Sequence, residues 1–496
     1  MKGAPQRSVV IVALLALIAA SCGQYQNVHR NAVAAGQVAA ASGGGSSGTS
    51  GSGGSTGLGG LGGGTKSSSS GGGSLTGGAT GASSGGGLSS GGASSSSTGS
   101  SGSSSSGGSS SARSAPSSSS GNTTGVTGST ITIGIHAPVT GAAPVQESSF
   151  QAGTSLYWKY GNNGGPVKVN GRTVHVVFQD DHYNPSYARQ VCQQMAQQDH
   201  SFLLIGGAGT DQIKACAEYA QSQGIPYLSA GVTESELNSF STYFAVSATY
   251  PYQTKLLDNY IKHTKTTQPS QVAMIAEDTP NFDDSVAQFQ KDFPGAKVYR
   301  PAKNDNGSSM APNICAGPTP LYKVVYPLVA PVYYLQMAKA TSCHPQYMGV
   351  GLTNGIDQVA STGCAANNST QGAEFFNPSP AWQDRNRFDP SFEKAITAAK
   401  KANGGNFPDD DIVWLLWGLS KDVAQLLANA GKNLTRSGFI SATEHAKVNT
   451  GVYPPLRFSP SDHFGASSVN DLVNVCKSRG NDAGYYVTKY ANKNSF

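Results

Sequence analysis

One short glycine-rich segment, residues 206–210, has the composition of an anion-binding site. It reads Gly-Gly-Ala-Gly-Thr and joins a wholly apolar stretch, residues 202–205, to a helix predicted to start near Asp211. Glycine lets a ligand approach the backbone closely, and the first turn of a helix offers unpaired N–H groups to negative charge. The Thr210 hydroxyl can add a hydrogen bond to the same anion. The alternative is that Thr210 is an ordinary N-cap residue, since Ser and Thr are common there.

Patterns that would indicate catalysis or metal binding are weak in this chain. A Gly-x-Ser-x-Gly motif occurs at residues 53–57, but no strand precedes it and the surrounding Gly/Ser composition produces such matches by chance. His136, His175 and His182 lie near predicted strand ends without the ligand spacing of a zinc site. Residues 206–209 lack the full dinucleotide-binding pattern and its acidic partner. We therefore expect no catalytic residues, metal or cofactor.

The elements that must position the anion site alternate between strands and helices. β-Branched residues at 130–136 predict the first strand, and residues 148–160 predict the helix that follows it. Continued alternation predicts a parallel, doubly wound α/β sheet, and the pattern restarts after residue 251 to form a second such unit. Further strands are predicted at residues 173–179, 202–205, 225–229, 271–276, 297–299, 321–326 and 347–350, and further helices at 185–198, 254–263, 285–293, 391–402 and 410–430.

The chain consists of two segments of different composition, so the composition of the whole chain describes neither segment. Residues 42–128 are almost entirely Gly, Ser and Thr and cannot bury enough apolar surface to fold, which predicts a disordered tether. As a flexible coil, a segment of roughly 85 residues has an end-to-end distance of about 50 Å. Residues 129–496 are long enough for two lobes of ordinary domain size. The net charge of +5, without a Lys/Arg cluster, gives no indication of nucleic-acid binding.

The first residues of the chain indicate export from the cytoplasm. A basic start precedes an apolar run at residues 9–20, which has the length of a signal-peptide core and is short for a membrane span. The sequence ending at Cys22 resembles the lipobox of bacterial lipoproteins, although Ala19 stands where that motif usually has Leu. The resemblance implies a lipid anchor on Cys22, and ordinary secretion with cleavage nearby is the alternative. In either case the other six cysteines meet an oxidising environment, which predicts three disulfides.

Several short motifs follow one another in a characteristic order in the folded part of the chain. They are Ile-x-Ile-Gly-x-x-x-Pro-x-x-Gly at 131–141, Asn-Gly-Arg at 170–172, Gln-Asp-Asp at 179–181, Asn-Pro at 184–185, Gly-Ile-Pro-x-x-Ser at 224–229, Thr-x-x-Glu-Leu at 233–237 and His-Pro-Gln-Tyr at 344–347. This order resembles type 1 periplasmic binding proteins, in particular the leucine/isoleucine/valine-type substrate-binding lipoproteins of ABC transporters. The resemblance extends over residues 130–490.

The resemblance implies a periplasmic-binding-protein-like fold of two doubly wound parallel-sheet lobes, joined by three crossover strands, with a ligand cleft between them. A signal peptide at residues 1–22 and a tether at 23–128 would precede the lobes. Lobe 1 is expected to comprise residues 129–248 and 377–458, and lobe 2 residues 249–376 and 459–496.

The resemblance also implies which lobe-1 residues meet the ligand. In this family the ligand carboxylate is held by a hydroxyl after the third strand, which falls on Thr210 beside Gly209 and Ala208. A second set of groups, after the fourth strand, falls on the Gly231 backbone and the Thr233 hydroxyl, for which a plain loop hydroxyl is the alternative.

Three further positions are implied to border the ligand. Phe282 takes the place of a lobe-2 tyrosine that packs on the ligand, and a second lobe-2 contact falls around Tyr326. For both, burial in the core of a lobe is the alternative. Gln146 occupies a lobe-1 position that is aromatic in some relatives, which indicates a more polar ligand.

One departure from the family concerns the charge of the ligand. In amino-acid receptors, a glutamate that pairs with the ligand ammonium should follow Met348-Gly349, but residues 350–352 read Val-Gly-Leu. The nearest acid is Asp357, on the following predicted helix. Since a desolvated ammonium without a partner is costly, the sequence does not establish a free α-amino acid as the ligand.

Six cysteines allow 15 pairings, so sequence alone leaves the connectivity open. In a sheet of order 2-1-3-4, the helices after the second and third strands lie on the same face, which favours Cys192–Cys216. Cys315 and Cys343 flank one strand–helix unit of lobe 2. Cys364–Cys476 would then tie lobe 2 to the C-terminal segment.

The function implied is that of a monomeric receptor, lipid-anchored to the outer face of the cell membrane. It would close on a small polar solute, either an amino acid or a related carboxylate or amide, and deliver it to the permease subunits of an ABC importer. One alternative is a sensory module that signals to a membrane partner without transport. Another is an adhesin or surface-structure protein in which the cleft is vestigial.

Overall fold

The computed structural model describes residues 121–230, 235–265, 268–303, 305–350 and 355–496. The expected signal peptide, the anchor at Cys22 and nearly all of the tether lie outside the described residues, and so do the ligand candidates Gly231 and Thr233. None of the described helices combines the length and apolar character needed to span a bilayer.

Seventeen strands are present in the described residues. They are β1 (Thr130–Ala137), β2 (Lys168–Val169), β3 (Arg172–Asp180), β4 (Leu203–Gly206), β5 (Tyr227–Ser229), β6 (Tyr243–Ala245), β7 (Val272–Ala276), β8 (Lys297–Tyr299), β9 (Cys315–Ala316), β10 (Thr319–Pro320), β11 (Val324–Leu328), β12 (Gln346–Val350), β13 (Glu374–Asn377), β14 (Lys447–Val448), β15 (Leu456–Arg457), β16 (Val469–Val475) and β17 (Tyr485–Lys493).

Twelve α-helices are present in the same part of the chain, and four of them follow one another between β13 and β14. They are α1 (Glu147–Tyr160), α2 (Pro185–Gln197), α3 (Thr210–Ser222), α4 (Tyr250–Lys265), α5 (Asp283–Asp292), α6 (Ala311–Ile314), α7 (Pro331–Ala340), α8 (Ile356–Ala365), α9 (Arg385–Phe388), α10 (Ser391–Ala402), α11 (Asp411–Asn429) and α12 (Arg436–Glu444). Single 3-10 turns lie at Ser235–Ser239, Pro269–Gln271, Pro280–Phe282, Gly307–Met310 and Trp382–Asp384.

Lobe 1 is built on a six-stranded sheet of order β2-β3-β1-β4-β5-β6. All of its pairs are parallel except β2 with β3, which form a hairpin. The hairpin turns at Asn170 and Gly171, which both have positive φ (51° and 85°), as a type I′ turn requires. The order β3-β1-β4-β5 is the expected 2-1-3-4 arrangement, with one short antiparallel strand added at its edge.

Lobe 2 is built on a seven-stranded sheet of order β17-β16-β13-β12-β11-β7-β8. The strands from β13 to β8 are parallel neighbours, whereas β16 runs antiparallel to both β13 and β17. The expected parallel arrangement therefore holds from β13 to β8, and two antiparallel strands are added at this edge. The reason is local: β16 and β17 form a C-terminal hairpin, which needs no crossover helix and hence no parallel pairing.

The chain passes between the two sheets three times. It leaves the lobe-1 sheet after β6, and after β13 it returns to pack α10 and α11 against α1. It re-enters the lobe-2 sheet at β16, after Phe464 has paired with Ala245 at the edge of lobe 1. Helix α11 is the centre of the lobe-1 core, because Trp414 and Trp417 are fully buried on it.

The structure contains the three expected disulfides. Cys192–Cys216 joins α2 to α3 with a Cα–Cα distance of 5.9 Å. The other two are Cys315–Cys343, at 5.7 Å, and Cys364–Cys476, at 5.1 Å. The last pair connects α8 to the end of β16, so each of the bonds lies within one lobe.

Candidate ligand-binding site

A cavity of about 290 Å³ lies between the two lobes. Its lobe-1 wall comes from the segment after β1, from the start of α3 and from Ile412 on α11. Its lobe-2 wall comes from the ends of β7 and β11 and from α7 and α8. Most of the lining is apolar: Pro138, Ala143, Pro144, Val145, Ala208, Phe282, Val329, Ala330, Pro331, Val332, Leu335, Val359 and Ile412. The cavity therefore lies at the carboxyl ends of strands from both sheets, where open α/β folds bind ligands.

The glycine-rich segment after β4 forms the polar end of this wall. Ala208, Gly209 and Thr210 all line the cavity, and Thr210 is the first residue of α3. Gly209 is the N-cap, with a φ of 83°, and it has no side chain to cover the N–H groups of the first turn. The N-cap is therefore Gly209, one residue before Thr210, and the alternative role of Thr210 as the N-cap does not apply. The arrangement leaves helix N–H groups and the Thr210 hydroxyl to meet an anion.

Two other sequence-predicted residues, Gln146 and Phe282, also line the cavity. Gln146 is the N-cap of α1, with a φ of −65° and a ψ of 114°. Phe282 is 5% exposed and packs edge-on against Tyr250, with ring centroids 5.3 Å apart. The Phe282 ring thus contributes an aromatic side chain to the lobe-2 wall of the cavity.

The structure places Tyr326 away from the cavity. This residue lies inside β11 with 0% exposure, and its hydroxyl is 2.9 Å from that of Thr254. Its ring packs edge-on against Phe289 in the lobe-2 core, at a centroid distance of 5.9 Å. The predicted contact between Tyr326 and a ligand is therefore corrected: its side chain points from the middle of β11 into the lobe-2 core.

Asp357, the nearest acid to the missing family glutamate, does not line the cavity either. Its Oδ1 accepts a hydrogen bond of 3.0 Å from the Tyr486 backbone N–H, which fixes the start of α8 to β17. Burial raises the pKa of Asp357 to about 6. Asp357 therefore supports the lobe-2 framework.

Glu277 is the main cavity residue that sequence reasoning missed. It directly follows β7, lines the cavity and is 8% exposed. Burial raises the pKa of its carboxyl to about 7; nearby Lys303 opposes this rise and Asp211 adds to it. Its place at the end of a buried parallel strand was the available signal, since that is where ligand-contacting residues gather.

Polar contacts link the two lobes beside the cavity. Asp211, on the first turn of α3, accepts hydrogen bonds from Asn281 and from Thr279, the latter at 3.4 Å. The same carboxylate pairs with Lys303 of lobe 2, whose ammonium lies 4.7 Å from the centroid of the Tyr183 ring. We call these contacts the Asp211 latch, because they join the two sides of the cleft at one carboxylate.

The buried histidine near the cleft has a structural role. His136 lies with Nδ1 2.8 Å from Asp181 Oδ2 and Nε2 2.8 Å from the Tyr227 hydroxyl. Although the sulfurs of Cys192 and Cys216 come close to its ring, they are joined in a disulfide and so cannot act as thiolate ligands. His136 therefore connects β1 to β5 and to the residue that follows β3 through hydrogen bonds.

Comparison with protein families gives a match over most of the folded part. The family model described as "Periplasmic binding protein" matches residues 130–470. No curated protein sequence matches this chain.

Many solved structures share the fold. A fatty acid ABC transporter substrate-binding protein from Thermomonospora curvata has a TM-score of 0.60 and 17% identity, over 75% of this chain and 95% of that one. A solute-binding protein of an ABC transporter from Rhodopseudomonas palustris BisB5, in complex with 3,4-dihydroxybenzoic acid, has a TM-score of 0.57 and 14% identity, over 74% and 98%. A possible leucine/isoleucine/valine-binding protein from Rhodopirellula baltica SH 1 has a TM-score of 0.57 and 16% identity, over 72% and 96%. At these identities the similarity establishes the fold alone.

Proposed function

Since this chain belongs to the periplasmic binding protein family, we propose that its interlobe cavity captures a small carboxylate with a largely apolar body. Membership of the family implies an extracytoplasmic receptor for a small solute. The observation that carries the proposal is the start of α3, where Thr210 and helix N–H groups without a side-chain cap meet a mostly apolar cavity.

The polar end supplies the affinity for an anion. Helix N-termini attract negative charge through unpaired N–H groups and the helix dipole. Gly209 lets the ligand approach this backbone closely, and the Thr210 hydroxyl donates to the second carboxylate oxygen. Within the described residues, no arginine or lysine lines this cavity, so these neutral donors account for the anchoring.

The remaining wall selects the body of the ligand. Phe282, Leu335 and Val359 offer apolar surface that is covered when a hydrocarbon group enters. This narrows the sequence-based expectation of a polar amino acid, carboxylate or amide towards an aromatic or aliphatic carboxylate. Of the two structural relatives, one was solved in complex with 3,4-dihydroxybenzoic acid and the other belongs to a fatty acid ABC transporter. Dihydroxybenzoic acid and fatty acids both combine a carboxylate with an apolar body.

Lobe closure links binding to delivery. A ligand that contacts both lobes binds the closed form more tightly and shifts the population towards it, which gives a membrane partner a surface to recognise. In our proposal, a monomer anchored through lipid on Cys22 and extended on the Gly/Ser tether presents this closed form to the permease of an ABC importer. The test of this part is uptake of labelled benzoate by cells with and without the gene.

Binding itself is tested with benzoate and hexanoate by calorimetry. The change Thr210→Val removes one hydrogen bond to a charged group, so the affinity should fall about tenfold or more. Thr362→Val is the matched control, because Thr362 lines the same cavity from α8 and is not part of the start of α3. This substitution should change the affinity by less than about threefold. Equal affinities for the wild type and the Thr210→Val variant would refute the anion site.

A further inference from the structure

A second cavity, of about 210 Å³, adjoins the first. The two share part of their walls, including Tyr183, Glu277 and Val329. Thr210 lines the first cavity, and Tyr333, on α7, lines the second. Glu277 therefore stands at the junction of the two cavities, with the anion site on one side and Tyr333 on the other.

Two buried oxygen-bearing groups at this junction have no partner in the described part of the chain. Glu277 is 8% exposed, and its carboxylate makes neither a hydrogen bond nor an ion pair there. Tyr333 is 6% exposed, and its hydroxyl is buried without a hydrogen bond. Buried polar groups are nearly always paired in folded proteins, so the buried Tyr333 hydroxyl without a partner, beside a Glu277 carboxylate that lines both cavities, indicates that a ligand supplies the donors.

The charges around the junction decide which kind of donor fits. Lys303 comes from the segment after β8, but its ammonium is already paired with Asp211 and lies over the Tyr183 ring. Asp305 also lines the second cavity and adds negative charge. The unpaired charge facing the space is thus negative, which favours a cation. A primary ammonium has three N–H donors, enough for a carboxylate and a phenol oxygen together.

We propose that the second cavity is a subsite for a primary ammonium group, held by Glu277 and Tyr333, on a ligand whose carboxylate lies at Thr210. This assignment rests on the proposed function, because it uses the same anion site. It narrows the ligand class to carboxylates that carry an amino group at the far end of an apolar body. Amino-acid receptors of the family have a glutamate after the strand that corresponds to β12, and this chain has none there; an acid is then supplied from the end of β7 instead.

The subsite makes binding depend on pH in a defined direction. Burial raises the pKa of Glu277 to about 7, so at pH 6 most of the free protein holds a proton on Glu277 that an ammonium ligand must displace. The groups around this carboxyl are Lys303, Asp211, Tyr183, Asp305 and Tyr333. The affinity for an amino-terminated carboxylate should therefore rise about tenfold from pH 6 to pH 8. A carboxylate without the amine should show no such rise.

The test compares 4-(aminomethyl)benzoate with 4-methylbenzoate by calorimetry on the full chain. The wild type should prefer the amine by about tenfold or more, since a charge-assisted hydrogen bond in a buried site is strong. Glu277→Gln should abolish the preference and the pH dependence, and Tyr333→Phe should reduce the preference. The matched control is Asp278→Asn, because Asp278 is the next residue, is 67% exposed and lines neither cavity.

The outcomes separate the subsite from the proposed function. Equal wild-type affinities for the two probes, or a preference that survives Glu277→Gln, overturn the ammonium subsite, while Thr210-dependent binding of 4-methylbenzoate would still support the proposed function. Binding of neither probe overturns both. Glu277→Gln should melt no earlier than the wild type, because the amide removes a buried ionisable group. If that variant fails to fold, the Tyr333→Phe result decides.

Discussion

The Asp211 latch should control how often the two lobes close in the absence of ligand. The carboxylate of Asp211 belongs to α3 of lobe 1, whereas its partners Lys303, Asn281 and Thr279 belong to lobe 2. The change Asp211→Asn removes the ion pair but keeps an oxygen that can accept from Asn281. It therefore isolates the ionic part of the contact.

The contribution of the Asp211–Lys303 ion pair to the free energy of closure can be judged from the exposure of the two side chains. The Lys303 and Asp211 side chains are 25% and 23% exposed, so the pair is neither fully solvated nor buried. An ion pair of this kind contributes about 1 kcal/mol. If the contact forms only when the lobes are closed, its loss should lower the closed-to-open ratio about fivefold.

The closed fraction can be measured by single-molecule energy transfer without ligand. Labels attached through non-natural amino acids at Tyr187 of lobe 1 and Leu321 of lobe 2 avoid the native disulfides, and both positions are exposed (39% and 48%). Ligand is left out because removing a negative charge near Thr210 would by itself strengthen carboxylate binding. Glu236→Gln is the matched control, since Glu236 pairs with Lys214 of the same helix within lobe 1.

The two variants must differ for the reasoning to hold. Asp211→Asn should shift the distribution towards the open distance, and Glu236→Gln should leave it unchanged. An unchanged closed fraction in Asp211→Asn would refute the latch. The same shift in both variants would show that charge alone, rather than the contact between lobes, changes the equilibrium.

Two further predictions concern stability. Replacing both Cys192 and Cys216 by Ser opens a cross-link between residues 24 apart, and urea unfolding should show a loss of about 3 kcal/mol; an unchanged midpoint would contradict this. Burial raises the pKa of Asp422 to about 7, and Thr450 donates to its carboxylate at 2.6 Å. The folded state therefore keeps a proton that the unfolded chain releases above about pH 4, so the free energy of unfolding should fall between pH 5 and pH 7. Asp422→Asn should make this fall shallower, and an identical slope in thermal or urea unfolding would count against the assignment.

The order of the strands and helices could be predicted because it depends on local sequence patterns. β-Branched runs predicted β1 and β3, Asn170-Gly171 predicted the hairpin turn, and Asn184-Pro185 predicted the start of α2. Each of these signals depends on neighbours within a few residues, where steric and hydrogen-bonding preferences act directly. The antiparallel edge formed by β16 and β17 was missed, because the pairing of distant strands depends on contacts that no local pattern records.

The residues of the candidate site also differ in whether local sequence patterns could predict them. The position of Thr210 at a helix start beside the cavity could be predicted, because a glycine-rich turn before a helix is a local feature. Tyr326 was misplaced because neighbouring strand positions face opposite sides, and a small alignment error exchanges core for cleft. Val329, just beyond the end of β11, lines the cavity instead. Glu277 was missed because its meaning depends on burial and on the nearby Tyr333, which comes from another element.

The amino-acid sequence by itself therefore determined the two α/β units, the glycine-rich helix start that lines the cleft, and the six cysteines that form three disulfides. Only the tertiary structure decided which side chains face the cleft, that Asp211 bridges the lobes, and that Glu277 and Tyr333 lie unpaired on one cavity. The physical reason is that strand and helix preferences are short-range, whereas burial, charge pairing and cavity shape arise when residues far apart in the chain are brought together.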